Sequence, residues 1–112
     1  MTLGENQEAF MRDVEKLLIY LHINGYSVRG GELERTQAQQ EIYYNTGKSK
    51  TMQSNHLKRC AIDLHIFKNG EWLQSKQDLQ EIGNYWESLN SLNRWGGNFT
   101  SFFDTPHFER NC

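Results

Sequence analysis

Four side chains from the middle of the sequence onward, His56, Asp63, Asp104 and His107, have the chemistry of a hydrolytic metal centre. Imidazole nitrogens and carboxylate oxygens both ligate zinc, and a catalytic zinc takes three protein ligands and keeps one position for water. His56 ends a polar stretch and Asp63 stands on a run that alternates apolar and polar residues, so a loop end and a strand could bring them together. His107 is the natural third ligand. Asp104 opens the sequence Asp104-Thr105-Pro106-His107, where a carboxylate could act as base on a water without binding the ion itself. Such spacing also arises by chance, with Asp63 as a strand-edge charge and His107 as an interface histidine. On spacing alone both readings stay open.

Several elements must position these groups. Phe10, Val14, Leu17, Leu18 and Leu21 recur at helical spacing between Asn6 and Asn24, and Gly25 supplies a stop, which predicts the first helix. Tyr26 to Leu33 carries Tyr26 and Val28 but is broken by Gly30 and Gly31, and reads as a short strand or turn. Thr36 is an N-cap for a second helix over Gln37 to Asn45, which Gly47 ends. Gly47 to Asn55 is too polar for a core and reads as a surface loop. Ala61 to Phe67 alternates as a strand, Asn69-Gly70 is a hairpin turn, and Glu71 to Leu73 is the return. Ser75 caps a third helix over Lys76 to Leu92, with Leu79, Ile82, Trp86 and Leu89 at helical spacing. The tail from Asn93 is aromatic and strand-like, and no repeat or linker divides the chain, so residues 1–112 read as a single domain.

The 112 residues are 37% hydrophobic with one proline, enough for one core. Twelve Lys plus Arg against 14 Asp plus Glu give a net charge of −2, so no basic excess exists to bind nucleic acid or a membrane surface. No apolar run is long enough for stable membrane insertion, and Met1 to Glu5 lack the pattern of a secretory signal, so synthesis in a cytoplasm is expected. Cys60 and Cys112 lie far apart in sequence, and no disulfide is expected between them; Cys60 reads as a small buried hydrophobe. His22 reads as a helical residue without a role. His65 shares the strand face of Asp63 and could reach the site, and Ser54 could cap the loop or hydrogen-bond near the ligands. Tyr85 and Trp86 read as core, Trp95 and Phe102 as packing residues or cleft wall.

The stretch Ser54-Asn55-His56-Leu57-Lys58-Arg59-Cys60-Ala61-Ile62-Asp63 resembles the S-x-H-x-x-G-x-A-x-D motif of the zinc D-alanyl-D-alanine carboxypeptidase family, which also contains the phage L-alanyl-D-glutamate endopeptidases. Upstream, Arg35-Thr36, Gln40, Tyr43 or Tyr44, Gly47 and Ser49 are similar to that family's R-T-x-x-x-Q, aromatic and G-x-S segment. Downstream, Trp95-Gly96-Gly97-Asn98-Phe99 and Asp104-Thr105-Pro106-His107-Phe108-Glu109 are similar to its W-G-G and D/E-x-x-H-F-E close.

The resemblance implies zinc ligands His56, Asp63 and His107, with Asp104 as catalytic acid/base and Arg35 facing substrate, where it would hold a carboxylate or polarise a carbonyl. It implies an α+β, hedgehog/DD-peptidase-like fold, a small antiparallel sheet carrying the zinc site with helices packed on one side. The implied activity is hydrolysis of a bond in peptidoglycan stem peptides. Asp in place of Glu at the base position favours the L-alanyl-D-glutamate endopeptidases over the carboxypeptidases, and the rival from another class is a non-catalytic, zinc-containing wall-binding module. The expected setting is that of a phage endolysin: a monomer that accumulates in the host cytoplasm and needs a holin-type partner to reach the periplasmic cell wall. Arg59 replaces the motif glycine, and a positive φ there would cost on the order of 1 kcal/mol.

Overall fold

The computed structural model describes residues 1–49, 51 and 53–112, so Lys50 and Met52 of the polar loop lie outside the described residues. The elements are α1 (Leu3–Ile23), β1 (Ser27–Gly30), α2 (Gln37–Asn45), β2 (Ala61–Lys68), β3 (Glu71–Leu73), α3 (Lys76–Leu89), β4 (Asn93–Trp95) and β5 (His107–Arg110), with 3-10 turns at Asn55–Lys58 and Gly96–Asn98.

Helix α1 begins earlier than its apolar spacing predicts because a reciprocal cap fixes its first turn. Thr2 Oγ1 accepts from Glu5 N at 3.1 Å, and Glu5 Oε1 accepts from Thr2 N at 2.9 Å. Helix α3 ends at Leu89, short of the predicted Leu92, because Asn90 turns into extended backbone and its side chain accepts from Leu92 N. The strand-like tail resolves into two strands, β4 and β5, separated by the second 3-10 turn and a loop.

Strand β2 is the spine of an antiparallel sheet ordered β1-β2-β5-β4. One edge of β2 pairs with β1; along the other, β5 pairs with Ala61 to Asp63 and β3 with Ile66 to Lys68. Asn69 and Gly70, both at positive φ, make the tight hairpin that Asn-Gly predicts. Period-two alternation then separates two faces. Ile62, Leu64, Ile66 and Phe108 turn toward α1 and α3, where Phe10, Val14, Leu17, Leu21, Leu79, Ile82 and Trp86 complete the core. The Trp86 ring meets Phe10 and Phe108 edge-on, at 5.7 and 6.0 Å between centroids. Asp63, His107 and Glu109 occupy the opposite face. The helix packing on one side is as expected for α1 and α3, whereas α2 has one buried side chain, Gln40, and is tied to the rest through it.

Contrary to the expectation from their separation, Cys60 and Cys112 form a disulfide. Antiparallel pairing of Ala61 with Glu109 brings the residue before β2 beside the end of β5, and Arg110 N donates to Cys60 O at 2.8 Å. Sequence distance is no measure of distance across a sheet. Cys60 is buried, as expected, but as half of a cystine. Arg59 does adopt positive φ, 53°, as the residue that caps the C-terminal end of the first 3-10 turn, so the conformational cost foreseen for a non-glycine residue is present.

Candidate metal centre

Each prospective ligand is fixed by its own element. Ser54 Oγ accepts from His56 N at 3.2 Å and caps the 3-10 turn, which settles its role as a cap. Asp63 stands where β2 passes from one pairing partner to the next. It is opposite His107 of β5, while Gly31 N donates to its carbonyl at 2.7 Å and its own N donates to Glu32 O at 2.8 Å. A Cβ at Gly31 would lie 3.0 Å from the Asp63 side chain, so glycine permits this close crossing.

His56 Nε2 lies 3.3 Å from Asp63 Oδ1, His107 Nδ1 lies 3.6 Å from the same oxygen, and the two nitrogens are 3.2 Å apart. The outer nitrogens set the tautomers. His56 Nδ1 is 2.9 Å from Leu33 O, which only accepts, so Nδ1 carries the proton and Nε2 presents its lone pair. His107 Nε2 is 2.7 Å from Glu109 Oε1, so it donates there and Nδ1 faces the cluster. Asp63 Oδ1 is buried and accepts no hydrogen bond. Three electron-rich atoms within 4.8 Å of one another, one an orphaned carboxylate oxygen, fit a metal cation bound among them.

The surroundings are electrostatically asymmetric. Burial raises the Asp63 pKa, but His107 and His56 outweigh it and hold the carboxyl well below its usual range. Burial lowers that of His107, but the neighbouring Asp63 carboxylate and the hydrogen-bonded Glu109 carboxylate outweigh it and push the imidazole up to about 9. A histidine ligand must be neutral, so in the metal-free protein a cation has to displace this proton at every pH below about 9. Apparent affinity for a divalent cation such as zinc is therefore expected to rise about tenfold per pH unit from 6.5 to 8.5, with proton release on binding. Calorimetry in buffers of different ionisation enthalpy measures both, and pH-independent affinity over that range contradicts the assignment.

Asp104 Oδ2 lies 3.8 Å from His107 Nδ1, beside the ligands rather than among them. Burial raises its pKa, with His107 opposing and Asp63 reinforcing the rise. Its backbone is clamped: Asp104 N donates to Gly96 O at 3.1 Å, and Trp95 Nε1 donates to Thr105 O at 2.8 Å. Any Cβ at Gly96 would collide with the Asp104 carbonyl, so the Trp-Gly-Gly segment exists to let this loop approach. Trp95 is fully buried and therefore packs and positions; Phe102 lines the cleft.

Arg35 reaches the same cleft, of about 460 Å³, together with His56, His107, Asp104 and Phe99. Its guanidinium donates to Glu32 at 2.6 Å and to Gln40 Oε1 at 2.7 Å, and stacks 4.7 Å above the Tyr43 ring. Fully buried Gln40 donates to Ser49 Oγ and to Thr51 O, binding the helix, the arginine and the polar loop into one unit. His65 instead packs against Trp72, at 5.1 Å between rings. Tyr85 stacks on Tyr20 and Trp86 is in the core, as expected. Sequence reasoning gave no role to Glu109, which holds His107 and accepts from Arg94 Nε at 2.6 Å, or to the Leu33 carbonyl. Strand alternation was the available signal for Glu109, since it shares the face of His107.

A family profile described as D-alanyl-D-alanine carboxypeptidase matches residues 47–110, which contain all three prospective ligands and Asp104. The chain is 34% identical to the "L-alanyl-D-glutamate peptidase" of Listeria phage A118, over 97% of its own length. It spans 38% of that relative's length. Its fold is similar to that of the Serratia marcescens L-Ala D-Glu endopeptidase ChiX, with a TM-score of 0.75 at 23% identity over 96% of this chain and 84% of that one. With the family's residues present in order and its fold in place, this chain belongs to the D-alanyl-D-alanine carboxypeptidase family of peptidases.

Proposed function

We propose that the protein is a zinc-dependent peptidoglycan peptidase that cleaves the L-alanyl-D-glutamate bond of the stem peptide. The observation that carries this reading is the convergence of His56, Asp63 and His107 on one point, with the Asp104 carboxylate beside it at a cleft. A zinc ion held by these three side chains would supply Lewis acidity toward a carbonyl oxygen and toward water. Asp104 takes the proton from the attacking water and returns it to the leaving amine, for which its burial and raised pKa suit it. Glu109 and the Leu33 carbonyl keep both imidazoles aimed. Arg35, braced by Glu32 and Gln40, presents a positioned cation beside the scissile group.

The printed names of the phage relative and the Serratia neighbour support the endopeptidase specificity. We propose in addition an endolysin setting, with which the phage source of that relative agrees; in this setting the protein is a monomer made in the host cytoplasm that reaches the periplasmic wall with a holin-type partner. Zinc-loaded protein incubated with purified Gram-negative sacculi is expected to release peptides that begin at D-glutamate, identified by mass spectrometry. Loss of terminal D-alanine alone assigns the carboxypeptidase activity instead, and zinc binding without any cleavage assigns a binding module.

A further inference from the structure

Among the described residues, three Lys and Arg side chains line the cleft, and two of them are paired with carboxylates. Arg35 is paired with Glu32, and Arg94 with Glu109. Lys48 is exposed and has no carboxylate partner among the described residues. Its backbone is nonetheless built into place. Gly47, at φ +81°, closes α2, Lys48 N donates to Tyr43 O at 2.9 Å, and Ser49 N donates to the same carbonyl at 3.0 Å. Ser49 Oγ is then held by buried Gln40 at 3.0 Å, and Gln40 also accepts from Arg35. Lys48 thus stands at the cleft in fixed relation to Arg35, on a turn that the proposed chemistry leaves without a task.

We infer that Lys48 is a specificity-determining residue that takes the α-carboxylate of the D-glutamyl residue on the leaving side of the scissile bond. The inference rests on the function proposed above. In the stem peptide this D-glutamate continues through its γ-carboxyl, so its α-carboxylate stays free and lies next to the bond that breaks. A lysine ammonium without a competing protein anion matches that group, whereas Asp104 and Glu109, the acidic residues of the lining, repel it. An amidated D-glutamyl residue presents no charge to Lys48.

The test uses the zinc-loaded full chain and two synthetic stem peptides that differ only in a carboxylate or a carboxamide at that α position. The wild type is expected to favour the carboxylate by about tenfold in kcat/KM, chiefly through KM. Lys48→Ala brings the ratio near one, Lys48→Arg restores most of it, and 0.5 M salt reduces it in the wild type; circular dichroism confirms that both variants are folded. Undiminished preference in Lys48→Ala, or equal cleavage of both peptides by the wild type, overturns the assignment. Cleavage of neither peptide, with D-alanine trimmed from a pentapeptide control, overturns the function on which it rests and removes Lys48's role with it.

Discussion

On the function proposed above, Asp104→Asn is expected to retain about one zinc per chain and to lose hydrolysis by a factor on the order of 10³, the scale of positioned general acid–base catalysis. The substitution is nearly isosteric, removes the ability to hold a proton, and leaves the facing atoms of His56, Asp63 and His107 in place. Their partners Leu33 and Glu109 are untouched as well. His56→Ala separates the two roles. It removes one prospective ligand beside the orphaned Asp63 oxygen and the His107 nitrogen, so zinc and activity are expected to be lost together. Metal content measured by elemental analysis, beside fragment release from sacculi, distinguishes the variants. Activity retained in Asp104→Asn removes its role as base, and zinc lost from it makes Asp104 a ligand.

The second large effect lies in the Cys60–Cys112 bond. It closes a loop of 52 residues in sequence separation, for which chain entropy alone corresponds to about 4 kcal/mol. Domains of this size are stable by about 5–15 kcal/mol, so the bond is a large share of the total. The Cys60→Ser, Cys112→Ser double variant, compared metal-free with the oxidised wild type, is expected to melt roughly 15 °C lower. Metal-free protein is the right material, because bound zinc adds its own stabilisation and masks part of the difference. Equal melting temperatures would show that the backbone hydrogen bonds from Arg110 to Cys60 and from Asn111 to Leu92 hold the end of β5 unaided.

Much of this architecture was legible because it depends on local rules. The stripe Phe10, Val14, Leu17, Leu21, the caps Thr36 and Ser75, and the Asn69-Gly70 turn each act within a few residues, and each forms as read. The prospective ligands were legible for another reason: motif positions report which residues converge even where spacing cannot. What stayed hidden depends on registry between distant segments. Glu109 becomes the partner of His107 only through the direction of β5, and Leu33 meets His56 only because the chain after β1 crosses the 3-10 turn. The compensation of Arg35 by Glu32 and Gln40 likewise needs three segments folded together. The disulfide is hidden in the sequence because β5, the antiparallel partner of the start of β2, comes from the far end of the chain.

That same covalent ring determines how the molecule comes apart under proteolysis. Asp63, Asp104 and His107 all lie between Cys60 and Cys112, and the loop around exposed Ser101 and Phe103 is one open place to cut. A single nick there leaves both fragments on one molecule, migrating as one band without reductant and as two with it. The ligand from β2 and the ligand from β5 remain tethered across the break, held by the sheet and by the sulfur bridge together.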